Sequence, residues 1–422
     1  MERKYKDSGI EWIGRIPMDW NTTKLGALYT QRNEKVSDKD FPPLSVTMQG
    51  ILPQLETAAK TDDGDNRKLV KKGDFAINSR SDRRGSCGIS PYDGSVSLIN
   101  TILKPRGEMN PLFYNWLFHT SLFADEFYKW GHGIVDDLWT TRWQEMKKIT
   151  VAVPSLAEQQ RIAEFLDEKC GEIDGLIALQ EQMITRLTDY KQSVITETVT
   201  KGLNLDAQLV PSGIEWIGDV PKGWKVCRIK DIFRLRTGTT PKDFEQGLSS
   251  DALVNWFTPS DVAEMNCELS SSERHLSQEV IKKEGIELSP AGSLIFVGIG
   301  ASAGKIGYAT VEGYSNQQIT MLIPKQNKCF GKYSYFYMIA DRKRIRDNAF
   351  FTTLPIINNT YLSGIKTLLP PIDEQRAIAE YLDAKCGEID KLIAKKQLKI
   401  ETLKEYKKSV IYETVTGKTV IK

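Results

Sequence analysis

Only three histidines (119, 132 and 275) occur in 422 residues, and they are scattered. That gives little support to a histidine-built metal site or a histidine general base. The six cysteines (87, 170, 227, 267, 329 and 386) form no Cys-x-x-Cys pair, so neither a zinc knuckle nor a dithiol redox motif is expected. They are expected to be reduced thiols. No apolar run approaches the roughly 20 residues that span a bilayer, and the stretch from Met1 to Asp7 lacks the apolar core of a secretory signal. The expectation is a cytoplasmic protein with no membrane partner. A charge excess is missing too: 57 Lys+Arg against 55 Asp+Glu leave +2. This disfavours a polycation of the histone type, but not a DNA binder whose cations lie on one face. What is present is globular in character, with 40% hydrophobic and 27% charged residues. The length calls for two or three domains.

The chain repeats itself. Ser8-Gly-Ile-Glu-Trp-Ile-Gly14, followed by Ile16-Pro17 and Trp20, recurs as Ser212-Gly-Ile-Glu-Trp-Ile-Gly218, Val220-Pro221 and Trp224. Residues 158–200 recur as 374–416 with 27 identities over 43 positions. Between these anchors the halves diverge, yet at offset 219 Gly73, Gly85, Gly88, Gly94 and Pro105 fall on Gly292, Gly304, Gly307, Gly313 and Pro324. A shared turn skeleton therefore carries different side chains. The order is variable globule, repeated helix, variable globule, repeated helix.

The repeated segments read as long helices. Ser155-Leu-Ala-Glu158 is a capping-box sequence, and Pro370-Pro371 suits a first turn. Apolar residues step by three and four through Ile162, Leu166, Ile173, Leu176, Met183, Leu187, Tyr190 and Val194. The second copy gives Ile378, Leu382, Ile389, Leu392, Leu403, Tyr406 and Val410. The period is that of a coiled-coil seam. Gly202 and Gly417 are stops, and Gly171 and Gly387 mark either a bend or a close contact. Each helix spans roughly 65 Å at about 1.5 Å per residue. Pairing within the chain is favoured, because linkage raises the effective concentration of the two copies. Residues 391–422 hold nine lysines against three acids. That stripe is either a surface facing DNA or a partner, or a solvated face.

Each globule carries strand-like runs around one variable loop. The first loop holds Arg80, Arg83 and Arg84; its counterpart, 298–305, is rich in glycine and holds Ser302 and Lys305. Arginine suits guanine edges; lysine, serine and backbone amides suit phosphates. A second surface precedes each helix: Thr141 and Arg142 in the first half, Thr353 and Asn358 in the second, with Trp139 and Trp143 expected to pack on the core. Gln317, in Asn316-Gln317-Gln318, either reads adenine or lies where the run caps a strand. Catalytic motifs fail. Gly298-Ile-Gly300-Ala-Ser-Ala303 fits a relaxed dinucleotide pattern, but a strand-like run follows where a helix N-terminus is required. A Walker A reading lacks its Ser/Thr at Ile306, and Leu369-Pro-Pro-Ile372 is no aminomethyltransferase motif. No nucleophile–base constellation is visible.

This combination resembles the DNA specificity subunit of type I restriction-modification systems, over essentially the whole chain. The carrying motifs are the Ser-Gly-Ile-Glu-Trp-Ile-Gly openings and the helix starts Pro154…Glu158-Gln159 and Pro371…Glu374-Gln375. The resemblance implies two tandem target recognition domains of mixed α/β (α+β) fold, residues 1–153 and 203–369. It implies two conserved helices, 154–202 and 370–422, in an antiparallel coiled coil with pseudo-twofold symmetry. It implies a non-catalytic chain in which each globule reads half of a bipartite, asymmetric site on double-stranded DNA. The helices would set the spacing and dock two modification subunits, N6-adenine methyltransferases. Two restriction subunits add translocation and cleavage. S-adenosylmethionine, ATP and Mg belong to those partners, and no cofactor or metal to this chain. Glu158, Gln159, Ile162 and Leu166, with Glu374, Gln375, Ile378 and Leu382, transfer as the helix signature; Ile173, Leu187, Ile389 and Leu403 extend it along the seam. Two other readings compete: a coiled-coil adapter that binds only proteins, and the specificity part of a related methyltransferase–nuclease, for which these 422 residues supply no catalytic domain.

Overall fold

A computed structural model describes residues 3–54, 64–80, 83–133, 139–242, 254–264, 267–325, 327–347, 350–351 and 355–421. The chain divides into two compact units, residues 1–181 with 397–422, and residues 182–396.

The first unit is built on a four-stranded antiparallel sheet in the order Cys87–Ile89, Phe75–Asn78, Asn100–Pro105, Tyr29–Arg32. The Phe75–Asn78 strand is buried throughout, as an apolar run covered on both faces must be. Phe75 and Ile77 face the aromatic helices Pro111–Phe118 and Ser121–Lys129, sharing one core with Phe113, Phe118 and Phe123. Ala76 points the other way, into a smaller core with Leu44, Ile51 and Ile102. The Asn110 side chain accepts from the Leu112 and Phe113 amides and so starts the first of these helices.

The second unit repeats that order with Phe233–Thr237, Ile319–Pro324, Leu294–Val297 and Ile306–Ala309, and adds Glu268–Leu269 in parallel at the edge. Register is kept: Ile102 faces Arg32 in one sheet, and Met321 faces Arg236 in the other. The repeated opening motif has one role in both halves. Tyr5–Asp7 pairs with Arg15–Pro17, and Leu209–Pro211 pairs with Asp219–Pro221, across the turn that each motif makes.

The long helices are Leu156–Lys201 and Ile372–Val415, followed by Gly202 and Gly417 in the left-handed region at φ +72° and +73°. Gly171 and Gly387 lie inside unbroken helix with nothing near the position a Cβ would take, so no close contact explains them. In the first unit Lys407 pairs with Asp174, and Gly417 lies against Trp20, whose indole bonds Glu158 at the start of the other helix. In the second unit Lys191 pairs with Asp390, and Gly202 lies against Trp224 and Glu374. Both arrangements are antiparallel.

The seam differs from the expected one. Positions 170, 173, 177, 180, 184, 187, 191, 194 and 198, and their counterparts 386 to 414, are buried or half-buried at alternating steps of three and four. Ile173, Leu187, Val194, Ile389, Leu403 and Val410 belong to it as expected. Leu176, Met183, Tyr190, Leu392 and Tyr406 do not: each is more than two-fifths exposed. Their expected places are taken by Ile177, Ile184, Ile393 and Ile400 and by the polar Gln180, Lys191, Lys396 and Lys407, which an apolar search passes over. Among the described residues no helix is long and apolar enough to cross a membrane.

Candidate nucleic-acid interface

In each unit, three segments meet at one end of the sheet. In the first, the Ser79 amide donates to Ile99 O and the Thr141 amide to Ser79 O (3.0 Å), and Arg80 bridges Thr140. In the second, the Gly298 amide donates to Gln318 O (2.8 Å) and the Ile357 amide to Gly298 O (2.8 Å), and Ile299 bridges Ile356. The backbone frame is the same. It brings the variable loop, the turn before the central strand and the segment before the long helix to one surface.

The side chains on that frame differ. In the first unit a cleft of about 430 Å³ is lined by Gln31, Lys68, Arg80, Thr140, Arg142 and Gln144. The Lys68 ammonium donates to Asn100 O at 2.7 Å, and burial pushes its pKa below the usual lysine value. In the second unit the matching surface carries Gln317, Asn358, Asn359 and Thr360. Asn359 accepts from Thr320 (2.7 Å) and donates to Thr237 (2.8 Å). The first-unit cleft is cationic, and the second-unit surface is rich in amides and hydroxyls. Both kinds of group address base edges and phosphates, by different donor and acceptor patterns.

The expected contact residues fall into three groups. Arg80 lines the first cleft half-buried, its carbonyl accepting from Tyr128, while Arg142 stands exposed before the Trp143–Met146 turn. Gln317 is exposed and accepts from Thr240; Asn358 is exposed and caps the next helix by accepting from the Tyr361 amide (2.8 Å). Neighbouring Asn316 is buried and caps the turn, accepting from the Gln318 amide.

A second group is committed elsewhere. Arg84 pairs with Asp125 at 2.8 Å and lies 5.1 Å from the Tyr128 ring centroid. Exposed Arg83 is bonded within the fold. Half-buried Ser302 gives its carbonyl to the Lys305 amide, and the Lys305 ammonium stands 3.7 Å from Glu264. Thr141 corrects the sequence reading outright: it is 0% exposed and its hydroxyl donates to Phe127 O, so it holds the fold and touches no ligand. Thr353 lies outside the described residues. Trp139 and Trp143 pack on the core as expected. Gln31, Lys68 and Gln144 were missed; only strand pairing and burial bring them to the cleft.

The helix signature also turns inward. Glu158 accepts from the Trp20 indole (2.9 Å) and from Arg3 (2.6 Å), and Glu374 accepts from the Trp224 indole (3.0 Å). Gln159 accepts from the Asn110 amide and donates to Pro154 O; Gln375 does the same with Phe330 and Pro370. Ile162, Leu166, Ile378 and Leu382 are core residues. These side chains join helix to globule. The expected capping box is half made: Ser155 accepts from the Glu158 amide, but the Glu158 carboxylate serves Trp20 and Arg3.

Two α+β modules in tandem, joined to long antiparallel helices and each presenting its own polar surface, define a modular recognition protein. Residues 221–402 match the family model for the type I restriction modification DNA specificity domain. The type I restriction enzyme MjaVIII specificity subunit of Methanocaldococcus jannaschii is 24% identical over 97% of this chain and 95% of its own. The HsdS subunit from Thermoanaerobacter tengcongensis has the same fold, with TM-score 0.51 at 16% identity over 96% of this chain and 98% of its own. A chain from a structural study of type I system assembly and conformational transition superposes with TM-score 0.75 at 15% identity, covering 96% of this chain and 99% of that one. Over nearly its whole length the chain is similar to DNA specificity subunits of type I restriction-modification systems, and residues 221–402 match the model of their specificity domain.

Proposed function

We propose that each unit reads one half of a bipartite, asymmetric DNA site, and that the two long helices set the spacing between the halves. The observation that carries this is the pair of polar surfaces: equivalent backbone segments, held by equivalent hydrogen bonds, present Arg80, Arg142 and Gln144 in one unit and Gln317, Asn358 and Thr360 in the other. A duplicated adapter has no need of such divergence on a retained frame.

Two modification subunits dock on the helices. The exposed Leu176, Leu179, Met183 and Tyr190 of the first helix, with Leu392, Leu398 and Tyr406 of the second, supply apolar area for that contact. S-adenosylmethionine is held by those subunits, ATP and Mg by two restriction subunits, and this chain works in the cytoplasm without a cofactor of its own. Bringing a methyltransferase to adenine N6 requires the base to leave the stack. With a net charge of +2, the isolated chain binds DNA weakly, since phosphate neutralisation supplies most of the affinity.

The test is a methylome. The chain is co-expressed with its modification subunit in an unmethylated host, and N6-methyladenine is mapped by single-molecule sequencing. A new asymmetric bipartite motif that depends on this chain is the expected result. A soluble complex that adds no motif contradicts the reading. Tight, specific gel shifts by the isolated chain at moderate salt contradict the weak-binding part.

A further inference from the structure

The two units treat one corner of the shared frame in opposite ways. In the first, the loop residue Arg84 reaches the helix Ser121–Lys129 and is neutralised by Asp125 at 2.8 Å. In the second, the residue at the Arg84 position is Ala303, and the helix Arg342–Asp347 supplies the cations instead. Arg342, Lys343 and Arg346 line a cavity of about 880 Å³ together with Ala301, Ala303 and, from the long helix, Gln192 and Thr196.

One carboxylate answers this group. Glu264 bonds Arg342 and stands 3.7 Å from Lys305 and 3.8 Å from Arg346. Asp347 also borders the cavity. Among the described residues, the four cations Arg342, Lys343, Arg346 and Lys305 stand against the two carboxylates Glu264 and Asp347. Lys343 lines the cavity and is exposed. The loop is shaped to admit the arginine: Gly304 has φ +86°, and a Cβ there would fall 2.2 Å from Arg346 Cγ. Any other residue at position 304 is both strained and in collision with that side chain.

The cavity shares its walls with the surface read as the DNA interface. Ile299 and Ile356 bridge one another on that surface, while the neighbouring Ala301 and Pro355 line the cavity, and the Gly300 amide donates to Pro355 O at 3.1 Å. Ala301, Ala303, Ile339, Ala340 and Pro355 give the cavity an apolar wall, while the cations Arg342, Lys343 and Arg346 line it beside the reading surface and suit an anion at that rim.

We propose that the cavity bounded by Arg342, Lys343 and Arg346 is a phosphate-binding site, filled by a DNA backbone phosphate flanking the half-site read by the second unit. In the first unit the corresponding corner holds the Arg84–Asp125 ion pair instead. The inference rests on the proposed DNA reading and adds a sequence-independent anchor on one side only.

The test uses this chain assembled with its modification subunits. Fluorescence anisotropy gives the dependence of DNA affinity on salt for the wild type, Lys343→Ala and Lys343→Ala/Arg346→Gln. Thermal melts confirm folding. Each lost phosphate contact lowers the slope of log K against log [salt] by about 0.9. The expected result is a slope lower by about 1 in the single variant and about 2 in the double, equal on cognate and unrelated duplexes, with the recognised sequence unchanged. Neutral methylphosphonate linkages beside the second half-site give the wild type the same loss and the double variant none. Wild-type slopes in both variants, with specific binding intact, overturn the proposal and leave the DNA reading standing. A wild-type complex with no specific DNA binding overturns both. A titration with inorganic phosphate separates the sources: saturation below millimolar concentration, without effect on the DNA salt slope, assigns the cavity to a free anion and overturns the backbone assignment.

Discussion

Lys191 Nζ lies 2.7 and 2.8 Å from the two carboxylate oxygens of Asp390, and its side chain is 1% exposed at a seam position between the long helices. Its counterpart at offset 216, Lys407, makes the same contact with Asp174 at 2.7 Å. An ammonium in an apolar seam tolerates only a register that supplies its acid. The polar seam residues therefore specify alignment where leucines would allow a slip of one heptad.

Removal of Asp390 should be costly, because it strands Lys191. Asp390→Ala is expected to destabilise the second unit by about 2 kcal/mol, below the usual ~3–5 kcal/mol for a broken buried pair because the Asp390 side chain is 41% exposed. Lys191→Met should be near neutral. Urea melts of the two variants give the comparison; equal losses would show that the lysine itself stabilises the seam.

The bonds from Trp20 to Glu158 and from Trp224 to Glu374 assign the repeated motifs a structural task. Glu158→Ala removes the acceptor for a buried indole and the partner of Arg3, and is expected to cost about 2–4 kcal/mol. Glu158→Gln keeps an acceptor for Trp20 and should recover at least half. Sequence recognition should follow stability in both and show no separate change. A variant that is stable yet altered in recognition would contradict the assignment.

Neighbouring residues give a sharper contrast. Thr141→Val loses one buried hydrogen bond to Phe127 O and should cost about 1 kcal/mol of stability with recognition unchanged. Arg142→Ala, at an exposed position beside the cleft, should leave stability within about 0.5 kcal/mol. It should relax one half-site by about 1–3 kcal/mol. Competition binding with duplexes mutated in one half at a time measures this, and relaxation of both halves would refute the modular reading.

The cysteines offer a pH test. Burial pushes the thiols of Cys170, Cys227 and Cys386 up to about 11 and Cys329 to about 12, and raises Cys87 and Cys267 as well. An acid whose folded pKa lies above its unfolded value of about 8.5 favours the fold below that value. The contribution is lost as pH rises toward about 11. Stability should therefore decline over that window in wild type and less in Cys170→Ala/Cys386→Ala. Iodoacetamide should label the native protein slowly at pH 8 and all six sites after unfolding; fast native labelling of Cys170 or Cys386 would show that the helix pair opens.

Much of the architecture was legible because repetition constrains it. Glycines at offset 219 announced a common turn skeleton, and 27 identities over 43 positions announced the two helices. The seam was misread where its side chains are polar: Lys191 and Gln180 are buried, while Leu176 and Met183 face out. The cleft was half legible. Arg80 and Arg142 stand out as charged residues in loops, but the fate of a side chain depends on partners that only folding reveals. Thr141 turns to Phe127, Arg84 to Asp125, and Lys68 arrives from a strand with no distinguishing pattern.

The first unit closes only when residues 397–421 join it: Val415 is buried in its core, and Gly417 lies against Pro17 and Trp20. During synthesis the second unit, residues 182–396, is complete before those residues exist. At about 5–20 residues per second the N-terminal strands wait for tens of seconds with Trp20 and its neighbours short of their last packing partners. The unit that begins first is thereby the last to have its full complement of residues, and a chain cut short between residues 396 and 421 lacks the segment that completes it.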